Sequence, residues 1–171
     1  MNRLSFRPVK DQLLQFHVLM PLSMLVVAGL VFLPFGFSQV GLIEEWGHLG
    51  VYSKHGPLYF ITKYTQIANH RLRPLTLLAG SIAYRLDADS FFYWHLIQFL
   101  VIWFKGIAMG AILWWLYPQR WIAIFGGALF ILYPADTMQL SLRSLPINPA
   151  VAAGLGAIAF LKNLSKTERT A

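Results

Sequence analysis

The sequence lacks cysteine altogether and holds few charged residues. With no cysteine among its 171 residues, the chain has no disulfide, no thiol nucleophile and no cysteine-ligated metal site. Charged residues make up 12% of the chain and hydrophobic residues 57%. A soluble domain carries about 25% charged residues. The low charge indicates an integral membrane protein, and the length suits one module that covers residues 1–171.

Acidic residues are scarcer than basic ones: the chain has 14 Lys and Arg but 7 Asp and Glu, which gives a net charge of +7. In a soluble protein this excess would suggest nucleic acid. Beside apolar segments, basic residues are more typical of span flanks that face anionic lipid. We therefore predict a lipid bilayer as a partner, and no nucleic acid. The sequence shows no spacing typical of metal ligands, so we predict no cofactor and no metal-binding residues. The use of a divalent metal ion stays an open alternative.

Four apolar runs predict the membrane helices. About 20 apolar residues are needed to cross a bilayer core, and residues 13–37 and 91–117 reach this length. Residues 121–133 are shorter, and residues 146–161 are rich in Gly and Ala, which suits close helix packing.

The apolar run at residues 75–86 decides the topology. It would form a helix of about 18 Å, which is short for a bilayer core of about 30 Å. If it only dips into the interface, the chain has four full spans with both termini inside; if it crosses, there are five. Arg3, Arg7 and Lys10 place the N-terminus in the cytoplasm. We favour four spans, in a bacterial cytoplasmic (inner) membrane.

Residues 38–90 form the predicted external loop between the first two full spans. Phe60, Tyr64 and Ile67 follow helical spacing after Pro57, which predicts a short amphipathic helix lying on the membrane surface. An aromatic belt without such a helix is the alternative. The predicted fold is thus an all-α integral membrane protein of four, alternatively five, transmembrane helices with an interfacial helix in its external loop.

Three short motifs occur in a fixed order along the chain. Arg73-Pro74-Leu75 follows the loop acids, His95 opens the long apolar helix with Gln98 after it, and residues 128–134 read Ala-Leu-Phe-Ile-Leu-Tyr-Pro. In this order the sequence resembles the N-terminal part of GT-C-type polytopic membrane glycosyltransferases. The resemblance is to their protein O-mannosyltransferase-like branch, which is coupled to tetratricopeptide repeats.

The sequence departs from that family pattern at three positions. Gln98 stands where the family has Asn, Tyr133 where it has His, and Met138 where a Glu is expected. Enzymes of this type also have many more spans. We therefore expect a truncated relative, one part of a split enzyme, or a non-catalytic partner, and leave enzymatic activity open.

The resemblance implies sugar transfer from a polyprenyl-phosphate donor at the external membrane face. An acceptor hydroxyl needs a base, for which a carboxylate is the usual choice. Glu44 and Glu45 are the candidate catalytic residues. The lipid phosphate needs cationic stabilisation, and Arg71 and Arg73 are the candidate phosphate-binding residues, joined by Arg143 in the four-span topology. The alternative is that the acids are solvated loop residues and the arginines bind lipid headgroups.

Lys105 lies near the middle of the second predicted span. A charge at that depth is costly and typically faces a cavity or a partner. Because the sequence offers no acid at that depth, we predict a contact with another membrane protein; pairing with backbone carbonyls is the alternative. His17 and His95, also in apolar runs, are predicted to pack or hydrogen-bond between helices.

Three functions follow from these observations. The first is a GT-C-like glycosyltransferase module, or a fragment of one, that handles a lipid-linked sugar donor in glycan biosynthesis. The second is a non-catalytic membrane subunit of a larger glycan-assembly or transport complex. The third is a small transporter or a component of a lipid flippase.

Overall fold

The structure is a computed structural model, and it describes residues 9–34, 37, 43–61, 74–133, 145 and 147–167. Within these residues it is all-helical, as the sequence predicts. A 3-10 turn at Tyr59–Ile61 accompanies six α-helices: α1 Val9–Phe32, α2 Ile43–His55, α3 Pro74–Leu86, α4 Phe92–Leu116, α5 Arg120–Leu132 and α6 Asn148–Thr167.

Helix α4 is the centre of the fold, because α1, α3, α5 and α6 all pack against it. It has 25 residues, which gives a length of about 38 Å at 1.5 Å per residue. The sequence prediction for this helix, residues 91–117, differs from it by one residue at each end. A turn of three residues, 117–119, leads directly into α5, which returns along α4 in the opposite direction.

Helix α1 runs antiparallel to α4 from Phe16 to Phe32. The ring of Phe16 stacks on Trp114 with 4.2 Å between centroids, and at the other end Phe32 meets Phe99 edge-on at 5.6 Å. Between them, the indole nitrogen of Trp103 donates a hydrogen bond of 2.9 Å to the carbonyl of Pro21. These contacts build an apolar core between α1, α4 and α5.

Glycines bring α4 and α5 into close contact. A Cβ atom on Gly127 would lie 2.7 Å from the carbonyl oxygen of Gly106, and one on Gly110 would lie 3.1 Å from the carbonyl oxygen of Ala123. Larger side chains at these positions would push the two backbones apart. Small residues at helix contacts are typical of membrane proteins, where close van der Waals packing drives helix association.

Helix α6 begins beside the N-terminal half of α4. Leu145, just before it, is buried together with Trp94. Asn148, the first residue of α6, is hydrogen-bonded to Lys105. Further along, a Cβ atom on Gly156 would lie 3.1 Å from the ring of Phe104. Helix α6 therefore runs parallel to α4, so that α1 and α5 point one way and α4 and α6 the other.

Helices α2 and α3 and the 3-10 turn fold together against the first turns of α4, and we call this unit the cap. Its core is aromatic: Trp46 meets Phe91 edge-on at 5.0 Å, and Tyr52 lies 6.0 Å from Trp94 between ring centroids. The cap thus covers the N-terminal end of α4, called here the cap end. The opposite end, where α4 turns into α5, is called the turn end.

The predicted interfacial helix falls within the described residues only at its start. Phe60 is buried within the 3-10 turn at 2% exposure; Tyr64 and Ile67 lie outside the described residues. Helix α2, Ile43–His55, ends before this turn. Gly56 accounts for the boundary. Its φ of 85° ends the helix, and its N–H donates to the Tyr52 carbonyl at 2.8 Å, as in a glycine C-terminal cap.

The described helices do not support four full spans. Among these residues, α4 alone is both long and apolar enough to cross a membrane by length and composition. The other apolar segments are shorter: Phe16–Phe32, Leu77–Leu86, Arg120–Leu132 and Asn148–Leu161. Helix α5, with 13 residues, is about 20 Å long, short of a bilayer core of about 30 Å. The apolar runs were read correctly as helices, but among the described residues only α4 meets the requirement for a full span.

Candidate functional site

The predicted catalytic acids lie at the start of the cap. Glu44 and Glu45 belong to the first turn of α2, and their side chains are outside the described part of the structure. The next residue, Trp46, packs on Phe91 at the start of α4. The backbone that carries the two acids is therefore held beside the cap end of α4. Acidic residues in the first turn of a helix also interact favourably with the helix dipole, which is a structural reason for their presence.

The predicted phosphate-binding arginines fall outside the described residues, but the chain that follows them is described. Helix α3 begins at Pro74, directly after Arg73, and its Leu77 is buried in the cap core. Leu145, two residues after Arg143, is buried in the same core. The described neighbours of the acids and of the arginines thus converge on one aromatic cluster, although the predicted side chains themselves are not described.

Two hydrogen bonds, one buried and one partly buried, join the halves of the cap. The hydroxyl of Tyr52 on α2 donates to the carbonyl of Leu77 on α3 at 3.1 Å, and Oγ of Ser81 on α3 donates to the carbonyl of Pro57 at 2.7 Å. Burial raises the pKa of Tyr52, with a further contribution from neighbouring Tyr59, whose own pKa is raised by burial. Tyr52 therefore stays a neutral phenol that can donate this bond.

Close packing at Gly80 completes the cap. A Cβ atom there would lie 3.0 Å from the Tyr52 hydroxyl and 3.1 Å from the ring of Trp94, so α3 can approach α4 only because this residue has no side chain. The indole nitrogen of Trp94 is buried and has no acceptor among the described residues. This cluster was not predicted from the sequence, although the aromatic run at residues 91–94 was a signal for it.

A line of buried polar residues follows one face of α4 beneath the cap. His95, Gln98 and Lys105 are 2%, 0% and 4% exposed, and their spacing of three and seven residues places them on the same side of a helix. His95 is buried, in agreement with its predicted packing role. His17, predicted to pack in the same way, is instead exposed on α1.

Lys105 is bound within its own chain. Its Nζ donates a hydrogen bond of 2.8 Å to Oδ1 of Asn148 and lies 5.5 Å from the centre of the Phe130 ring. Helices α4, α5 and α6 therefore meet at this ammonium group. The predicted contact of Lys105 with another protein stays a prediction, and Asn148 is the contact that the sequence analysis missed. The sequence feature that pointed to this contact was the polar amide of Asn148 at the start of an apolar run.

Among the described side chains, no group of three or more His, Asp or Glu is placed to hold a metal ion. Comparison with protein-family models, with curated proteins and with solved structures gives no match to this chain. The resemblance to GT-C-type glycosyltransferases stays a prediction from sequence.

Proposed function

We propose that this chain is a membrane-embedded helical module that handles a polyprenyl-phosphate-linked sugar at the bilayer face beside the cap. The observation that carries the proposal is the aromatic cluster of the cap, where Trp46, Leu77 and Leu145 converge at the start of α4. These residues follow, within a few positions, the loop acids and the arginines that the family resemblance selects.

Membrane embedding is supported by the length of α4 and by the aromatic residues at its two ends. Phe92 at the cap end and Trp115 at the turn end are both exposed. They are separated by about 35 Å along the helix, against a hydrocarbon core of about 30 Å. Trp and Tyr are enriched at membrane interfaces, which fits Trp115 at the turn end.

Exposed apolar faces on the surrounding helices also support a bilayer. On α1 these residues recur every three or four positions and so form one continuous face: Val18, Leu22, Val26, Leu30 and Leu33. Helices α5 and α6 expose further large residues, among them Phe125, Leu129, Ile158 and Phe160. A contiguous apolar surface of this extent needs a partner, and lipid chains cover all of it at once.

The proposed chemistry divides between the two parts of the cap. A carboxylate of Glu44 or Glu45 accepts the proton of the acceptor hydroxyl as that oxygen attacks the anomeric carbon. The bond from that carbon to the phosphate oxygen breaks. Arg71 and Arg73, with Arg143, stabilise the charge on the departing lipid phosphate by paired N–H donors.

Lys105 has a different role in this proposal. It lies below the cap, and its described contacts are with residues of α5 and α6. A charged group in a membrane interior is retained where neighbouring helices satisfy it. We assign Lys105 to the joining of α4, α5 and α6 beneath the site, and not to the lipid phosphate.

The test measures capture of a photoreactive polyprenyl phosphate by the protein in lipid nanodiscs. Replacing Arg71 and Arg73 together by Gln should lower labelling at limiting ligand by about a hundredfold or more, since hydrogen bonds to charged groups are each worth about 1.5–3 kcal/mol and about 1.4 kcal/mol is a factor of ten. The matched control is Arg85→Gln, an exposed arginine at the end of α3, which should label as the wild type does. Equal labelling in all three proteins would rule out the phosphate-binding assignment.

Catalysis is tested separately by Glu44→Gln and Glu45→Gln. Loss of sugar transfer in native membranes, at normal abundance of the protein, is the expected result for at least one of them. If both variants retain full transfer, the carboxylates are not the base.

A non-catalytic membrane subunit is the second candidate, and α5 favours it. This helix is about 20 Å long, yet it exposes Trp121, Phe125 and Leu129. A helix too short for the bilayer is stabilised by a neighbouring protein as well as by lipid. Crosslinking from Phe125→Cys in native membranes should then give a product with a second protein. A chain that stays monomeric there would contradict this function.

A further inference from the structure

The turn between α4 and α5 exposes a compact set of aromatic and basic side chains. Trp115 and Tyr117 at the end of α4 are exposed, and so are Arg120 and Trp121 at the start of α5. The Arg120 guanidinium lies 5.2 Å from the centre of the Trp121 ring, within the range of a cation–π interaction. We call these four residues the turn cluster.

The backbone holds the turn cluster in place. The N–H of Tyr117 donates to the Leu113 carbonyl at 2.8 Å, and the N–H of Gln119 donates to the Tyr117 carbonyl at 2.6 Å. Pro118 between them has a fixed φ angle. On the inner side, Trp114 is stacked on Phe16 of α1. The outward position of the cluster is thus set by the fold and does not depend on a ligand.

Exposed Trp and Tyr beside an arginine match the chemistry of a lipid headgroup layer. An indole or phenol has an apolar body and a polar tip, which suits the boundary between acyl chains and water. A guanidinium binds phosphate oxygens through paired N–H donors. No described acidic side chain lies at this end, since Asp87 and Asp89 precede α4 at the cap end.

Charge differs between the two ends of the bundle. Residues 1–12, 118–121 and 162–171, which flank the turn end in sequence, contain seven basic and two acidic residues. Residues 38–91 and 134–147, which flank the cap end, contain six basic and five acidic residues. A negatively charged leaflet attracts basic residues near its surface, so an anionic leaflet is favoured at the turn end.

We propose that the turn cluster is an interfacial anchor that binds the phosphate of anionic lipid headgroups, in the leaflet opposite the cap. Arg120 pairs with the lipid phosphate, while Trp115, Tyr117 and Trp121 lie among the glycerol and upper acyl groups. The inference rests on the membrane embedding proposed above, but not on the sugar chemistry.

The test measures which lipids stay bound to the purified protein. The protein is reconstituted in vesicles of phosphatidylcholine mixed with phosphatidylglycerol, extracted, and analysed for retained lipid by native mass spectrometry. The wild type should retain phosphatidylglycerol preferentially. Arg120→Gln should reduce that preference about fivefold, the effect expected of one basic residue at an anionic surface. The matched control, Arg85→Gln at the cap end, should keep it.

A second measurement locates the turn by depth. Because the chain has no cysteine, Gln119→Cys provides a single site for an environment-sensitive fluorophore. Lipids that carry a quencher near the headgroup should quench it more than lipids that carry one at the chain end. Quenching by a water-soluble reagent alone would overturn the anchor.

The remaining outcomes separate the two proposals. Release of the wild type from membranes at alkaline pH would refute membrane embedding itself. If the protein stays embedded and Arg120→Gln keeps the wild-type lipid preference, the anchor is wrong and the embedding stands. If Arg120→Gln instead removes a co-purifying protein while lipid retention is unchanged, the cluster is a protein-binding surface and the lipid assignment is overturned.

Discussion

At the scale of single residues, the contact between Lys105 and Asn148 has the largest consequences for stability. The two residues are 43 positions apart and both are buried. Removing one partner of a buried hydrogen bond to a charged group leaves the other desolvated and unsatisfied by that bond, which costs more than the bond itself contributes. Sequence reasoning could predict a special role for Lys105 from its depth, but not this partner, because no local pattern specifies a contact so distant along the chain.

Asn148→Ala should destabilise the protein by about 1.5–3 kcal/mol, because the Lys105 ammonium loses a charge-assisted hydrogen bond in an apolar interior. The double variant Lys105→Met with Asn148→Ala should be less destabilised than the sum of the single changes, since both partners are then removed. Thermal unfolding in detergent, arranged as a double-mutant cycle, measures this coupling. Strict additivity would show that the contact contributes nothing.

Asp87 provides a pH-dependent contact at the start of α4. Ser90 donates a hydrogen bond of 2.5 Å to Oδ2 of Asp87, and the Asp89 N–H donates one of 3.0 Å to Oδ1. These bonds hold the pKa of Asp87 below its ordinary value. Because the folded state has the lower pKa, the stabilising contribution is present above the ordinary Asp pKa, about 3.9, and is lost as the pH falls through the folded value.

Ser90→Ala should raise the pKa of Asp87 toward its ordinary value, because the largest contribution to the lowering is removed. Carboxyl carbon NMR during an acid titration measures this directly. Asp89→Asn is the matched control, since Asp89 contributes its backbone N–H and not its carboxylate, and it should leave the titration of Asp87 low. An unchanged Asp87 titration in Ser90→Ala would contradict the account.

At the scale of helices, the long apolar runs predicted α4 and α5. The prediction failed where tertiary packing overrides the local helix propensity. The bounds of α4 and α5 follow from two long, mainly apolar runs that Pro118 and Gln119 separate. Helix α2 was not predicted, because Gly47 and Gly50 in its interior lower the helix propensity of this segment. The helix forms through both glycines because Tyr52 is buried against α3 and α4, and such tertiary contacts outweigh helix propensity.

The packing of α4 on α5 leads to a sharp comparison between two glycines. Gly127→Ala should destabilise the protein by about 1–3 kcal/mol through overpacking, since the new Cβ would lie 2.7 Å from the Gly106 carbonyl oxygen. Gly154→Ala on α6 is the matched control, because a Cβ there meets nothing within 4 Å. It should be neutral or stabilising by about 0.5–1 kcal/mol. Equal thermal midpoints for the two variants would contradict the close approach of α4 and α5.

At the scale of the whole molecule, the helix directions define two unlike ends. The cap end holds the aromatic core of Tyr52 and Trp94 and the segments with the predicted site residues. The turn end holds the exposed cluster around Arg120 and the greater excess of basic residues. The sequence predicted that the polar loop and the segment before residue 145 lie on one side of the membrane, and this stays a prediction; the described Leu145 is buried in the cap core. Composition gave the bounds of α5 but not whether so short a helix crosses a bilayer, since a helix of 13 residues must be accommodated by a neighbouring protein or a locally thinner bilayer.

The central claim is that α4 crosses a bilayer with the cap and the turn on opposite faces. Asp89→Cys and Gln119→Cys place single thiols at exposed positions beyond the two ends of α4, in a chain that has no other cysteine. In sealed vesicles of uniform orientation, a membrane-impermeant maleimide should label one of the two thiols. It should label both only after the membrane is permeabilised. If both thiols react equally in intact vesicles, α4 does not separate two membrane faces and the account is wrong.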